Sequence, residues 1–119
     1  MAINFMWLSK AAPALPAAIL ALCIGPAIAA EVCPFREGQP VHSVDVFDGS
    51  PQELATLVPD QARRSSGFWR LGYIYDAGRF VTIRCKYADR VVSDVKLAAR
   101  VQQCAYKIDA HKSLTLNCH

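Results

Sequence analysis

Apolar and polar positions alternate through the stretch Gly67 to Tyr87, GFWRLGYIYDAGRFVTIRCKY, and the rest of the chain can be read outward from it. Strand-forming aromatic and β-branched residues fill both arms, and Asp76-Ala77-Gly78 offers a three-residue turn whose glycine can take positive φ. The pattern predicts a β-hairpin. With Tyr75 facing Arg79, the register sets Tyr73 opposite Val81, Leu71 opposite Ile83 and Trp69 opposite Cys85, and these last six share an inner face. Phe68, Arg70, Phe80, Arg84 and Lys86 fall on the other, mixed face.

The same bookkeeping extends to the neighbours. Ala88-Asp89-Arg90 turns the chain, and matching Tyr87 with Val91 brings Val95 opposite Ile83 and Leu97 opposite Val81, on the face already assigned as inner. Val101–Ile108 and Ser113–Cys118 form a further pair: joining Ile108 to Leu114 joins Tyr106 to Leu116 and sets Cys104 opposite Cys118. Upstream, Val41–Phe47 alternates as a strand with His42, Val44 and Val46 on its inner face. Ser50, Pro51 and Glu53 then supply a helix cap, a first-turn proline and a capping-box acid, predicting a short helix through Leu57. Val58-Pro59-Asp60 stops it, and Gln61–Gly67 is a polar loop in which Arg63 and Arg64 are most simply solvated. The fold class is mainly β: a small antiparallel sheet, meander plus C-terminal hairpin, with one short helix and two disulfides.

The cysteines acquire meaning from the start of the chain. Residues 1–29 have a short start ending in Lys10, an apolar run broken by Pro13, Pro16 and Pro26, and the small-residue exit Ala27-Ile28-Ala29. That is the layout of a cleavable secretory signal peptide rather than a membrane span. Leu22 stands before Cys23 where a lipoprotein needs a small residue, so no stable membrane anchor is expected after cleavage. Residues 30–119 then form a single domain holding Cys33, Cys85, Cys104 and Cys118, an even set in an exported chain. The register pairs Cys104 with Cys118 and leaves Cys33 with Cys85; four cysteines allow three connectivities, and Cys85 with Cys104 is the alternative because both point inward. No CxxC spacing favours zinc. The formal net charge is +3, of which Lys10 is the leader's share, leaving +2: too little and too scattered for nucleic acid.

Chemistry is not evident. His42, His111 and His119 sit at a core edge, in a turn and at the last position, with no nucleophile motif near them. Asp45, Asp48, Glu53, Asp60 and Asp76 are not spaced as an acid and base pair, and there is no phosphate-cradling loop, HExxH or calcium loop. No catalytic residue, metal ligand or cofactor is assigned. The informative positions are Phe68, Arg70, Phe80 and Arg84, because exposed aromatics flanked by arginine mark a partner surface.

CP at Cys33-Pro34, DGSP and ELATLVPD across Asp48–Asp60, WRL at Trp69–Leu71, IRCKYA at Ile83–Ala88, VQQC at Val101–Cys104 and the closing LNCH resemble a family of small exported proteins of Gram-negative bacteria. The resemblance covers nearly all of residues 30–119. It implies a periplasmic protein without an established enzyme activity, and it suggests an immunity or inhibitor role against cell-wall-directed secreted toxins. The expected function is therefore non-enzymatic binding and neutralisation of another exported protein. The alternatives are an envelope hydrolase and a structural envelope component.

Overall fold

The computed structural model describes residues 30–119. The expected signal peptide lies outside the described residues. Eight strands and one short helix follow in the order β1 (Ala30–Glu31), β2 (Val41–Asp48), a 3₁₀ turn (Pro51–Glu53), β3 (Gln61–Ala62), β4 (Ser66–Arg70), α1 (Gly72–Asp76), β5 (Val81–Tyr87), β6 (Val92–Leu97), β7 (Gln103–Ile108) and β8 (Leu114–Cys118). They make two antiparallel sheets, one ordered β1-β8-β7-β4-β3 and the other β2-β5-β6.

Two pairings have the register that the apolar pattern gives. In β5 and β6, Val81 faces Leu97 and Ile83 faces Val95. In β7 and β8, Ile108 faces Leu114, Tyr106 faces Leu116 and Cys104 faces Cys118. Asp109 tightens the β7–β8 turn by accepting the His111 and Ser113 N–H groups at 2.8 and 3.0 Å. These backbone donors hold its carboxyl below the ordinary carboxylate range.

The central hairpin is a correction. Trp69 pairs with Cys104 rather than Cys85, β4 enters the sheet of β7 and β8, and β5 lies in the other sheet between β2 and β6. Between them the chain turns once as α1, where the buried positions run Trp69, Leu71, Ile74: the spacing changes from two to three at Leu71. Tyr73, assigned to the core by strict alternation, is 58% exposed. Gly78 does take positive φ, at 78°, but it follows a helix end instead of bending a hairpin, its N–H donating to the Tyr75 carbonyl at 2.9 Å.

The core lies between the sheets. Val46, Val81, Ile83 and Cys85 on one side meet Trp69, Leu71, Cys104, Leu116 and Cys118 on the other, with Ile74 closing one end. Each fully buried aliphatic side chain here contributes about 1.5 to 3 kcal/mol. A bulge between Val41 and Ser43 reverses the expected faces at the start of β2, so Val41 is buried and His42 exposed. Disulfides join Cys33 to Cys85 and Cys104 to Cys118. The first ties the irregular arm before β2 to the core, where the Tyr87 hydroxyl also donates to the Pro34 carbonyl at 2.5 Å.

Candidate functional site

Residues 48–59 form a strap that runs along the outer edge of β2 and then crosses to the other sheet. Asp48-Gly49-Ser50-Pro51 sets its start. Gly49 has φ 85°, and a Cβ there would collide with the Glu53 carboxylate and the Arg79 guanidinium, so the position needs glycine. The expected helix through Leu57 is shorter than the capping signals imply. Glu53 accepts the Ser50 N–H at 2.9 Å as a capping box requires, but the helical turn ends at Glu53.

Leu54 ends it by adopting the left-handed conformation, φ 60° and ψ 25°, which is uncommon for a leucine. The strap then becomes extended. The Asp48 N–H donates to the Ala55 carbonyl at 3.0 Å and the Leu57 N–H to the Val46 carbonyl at 2.7 Å, bracketing Thr56 opposite Phe47. Leu57 turns inward, and its carbonyl accepts the Trp69 indole N–H at 3.1 Å, fastening the strap to the second sheet.

Ion pairs and hydrogen bonds tie down the base of the strap. Arg79 donates to Asp48 at 2.6 Å and also to Glu53. The Asp48 hydrogen bond, followed by that to Glu53, raises the pKa of Arg79; the Ser50 N–H, followed by Arg79, lowers that of Glu53. Thr82 adds a buried hydroxyl donating to the Gly49 carbonyl at 2.7 Å. Above this base the side chains of Leu54 and Val58 are 83% and 84% exposed. Leu57, Val58 and Pro59 also form one wall of an open groove between the sheets, with a volume of about 350 Å³, whose other walls include Val44, Trp69 and Tyr106.

The residues of the expected partner surface, Phe68, Arg70, Phe80 and Arg84, stand on different elements. Phe68 and Arg70 are on β4, with the Arg70 guanidinium 5.5 Å from the Phe68 ring, whereas Arg84 is on β5 in the other sheet and Phe80 immediately precedes that strand. Lys96 covers Phe80 at 4.3 Å, and Arg84 covers Phe47 at 5.4 Å while pairing with Asp94 at 2.8 Å. The two pairs are separated because β4 and β5 are not partners.

Leu54 and Val58 escaped notice in the sequence because ELATL reads as helix by composition and by its cap. The available clue was the absence of charge between Glu53 and Asp60. Among the described residues no three His, Cys, Asp or Glu side chains are grouped to hold a metal ion. The carboxylates with lowered pKa, Glu53, Asp89, Asp94 and Asp109, are engaged in caps, turns and ion pairs.

A disulfide-linked β scaffold that presents apolar side chains on an exposed strap has the geometry of a binding protein. Residues 36–119 match the model of the Type VI secretion system Tli immunity protein family, and the chain belongs to that family. It is an immunity protein, which neutralises another secreted protein. No curated protein and no solved structure matches the chain.

Proposed function

We propose that the chain acts in the periplasm, exported by a signal peptide over residues 1–29, and that it neutralises a type VI effector by forming a stoichiometric complex rather than by chemistry. The family match over residues 36–119 carries this reading. Three further observations support it. All four cysteines of the described residues are joined in disulfides, which suits an oxidising compartment and leaves none of these sulfurs as a nucleophile. The perturbed acids hold the fold together instead of facing one another across a cleft. No helix of the described residues is long and apolar enough to cross a membrane.

The test is co-expression of the chain, directed to the periplasm, with individual type VI effectors in a susceptible bacterium. Growth should be rescued against a cognate effector, and purified chain should titrate the effector's activity to an endpoint near one to one. Protection reached at a small fraction of one equivalent, with the effector chemically altered, would overturn binding as the mechanism. Loss of periplasmic protection on deletion of residues 1–29, restored by a foreign signal peptide, is the expected result for the leader.

A further inference from the structure

We propose that the strap is the docking edge for the effector, which adds an extended segment of its own chain alongside Leu54–Val58. The inference rests on the immunity reading above and adds where and how the partner is held.

A backbone count identifies the edge. Ala55 and Leu57 direct their bonding groups to β2, so Thr56, lying between them, directs its N–H and carbonyl away from the sheet. Among the described residues neither group has a backbone partner. An extended partner can satisfy both, which is how β-strand addition gains affinity, while side chains at alternate positions give specificity. Val58 lies at the next such position after Thr56, and Leu54 stands exposed at the turn from which the extended stretch begins.

The strap also lacks charge as a protection against such pairing. Edge strands are commonly blunted by charge. On the opposite edge of the same sheet, β6 carries Asp94, paired with Arg84, and Lys96, set over Phe80. Leu54–Val58 carries no charge. Leu54 adds a second sign: a non-glycine residue held at φ 60° with its side chain in solvent gains nothing for folding that glycine would not supply. Its conformation does present the leucine beyond the base fixed by Arg79.

The occupant is the effector rather than a second copy of this chain. An edge of five residues covers much less than the roughly 1,000 Å² needed for a specific interface. A larger partner can also fill the adjoining groove, because Thr56, Leu57 and Val58 border both. The matching element is an extended, uncharged segment with apolar side chains at alternate positions, one of them reaching into the groove between the sheets.

The experiment uses the effector identified by the rescue assay, purified, with binding measured by calorimetry. Leu54→Gly retains a residue suited to the left-handed backbone and removes the side chain; Thr56→Pro retains both bonds to β2 and removes the outward N–H. Each should weaken binding roughly tenfold or more, with the thermal unfolding curve of the free chain confirming that it is folded. Thr56→Ala and Phe35→Ala, the latter removing an exposed ring from the arm before β2, should bind as wild type. On complex formation, exchange of the Thr56 amide should slow at least tenfold.

Full-strength binding by both Leu54→Gly and Thr56→Pro overturns the docking edge and leaves the immunity reading standing. Failure of the wild-type chain to bind any effector from which it rescues cells overturns the immunity mechanism and the edge with it. A dimer of the free chain abolished by Thr56→Pro assigns the edge to a second copy and overturns the assignment to the effector.

Discussion

Leu54 combines a backbone conformation that suits glycine with a side chain that suits a core. Replacing it by glycine removes about 1 to 2 kcal/mol of left-handed strain and adds about 0.5 to 1 kcal/mol of chain entropy lost on folding. Leu54→Gly should therefore leave the stability of the free chain within about 1 kcal/mol of wild type, measured by urea unfolding. A marked loss would show that the side chain belongs to the fold. Trp69 provides the opposite case. Its indole N–H holds the Leu57 carbonyl, and Trp69→Phe keeps an aromatic body but strands that acceptor. The expected cost is about 1 to 3 kcal/mol, with amide exchange accelerated at Leu57 more than in β5.

Ion pairs and turns set the response of the individual elements to acid. Hydrogen bonds from Arg36 to Asp89, from Arg84 to Asp94, from the Ser50 N–H to Glu53 and from the Ser113 N–H to Asp109 each lower the folded carboxyl pKa. A depressed folded pKa contributes stability that is present above the unfolded value, near 4, and lost as pH falls through the folded one. The melting temperature should therefore vary little between about pH 7 and pH 5 and fall below about pH 4. Arg36→Ala should make that acid limb shallower by returning Asp89 towards its ordinary range. A limb of unchanged slope would remove this pair as a contributor.

Element by element, legibility followed the distance over which partners are chosen. The β5–β6 and β7–β8 registers were readable because short turns join those strands and one slipped residue would have turned Ile83 or Leu116 to solvent. The β4–β5 hairpin was not. Arms with the right composition and a glycine at the right place mimic a turn, and nothing local says that Trp69 will choose Cys104, some thirty-five residues on. The Leu71-to-Ile74 spacing of three was the local sign of α1, and strand-favouring Tyr73 and Tyr75 obscured it. The candidate site was hidden by a related ambiguity. Capping signals in Ser50-Pro51-Gln52-Glu53 are real, yet they start a single turn, and no propensity reveals that Leu54 will reverse the backbone sign.

For the whole molecule, the disulfides carry much of the stability. In the loop-closure account, the Cys33–Cys85 bridge, with a sequence separation of 52, contributes about 4 kcal/mol, and Cys104–Cys118, with a separation of 14, about 3 kcal/mol. Against the 5 to 15 kcal/mol typical of small domains, removing either pair by Cys→Ala substitution should lower the urea midpoint, the longer loop more, and removing both should unfold the chain near body temperature. Equal shifts for the two pairs would argue against loop closure as the source. Non-reducing peptide mapping should recover both linkages.

Sulfur chemistry also gives the molecule a sense of place and time. A newly made chain in a reducing cytoplasm holds neither tie, so on the proposed periplasmic reading it becomes fully able to recognise its target only after leaving. A toxin manufactured by the same cell would then meet no finished antidote while awaiting dispatch, and would meet one at the wall of a protected sibling.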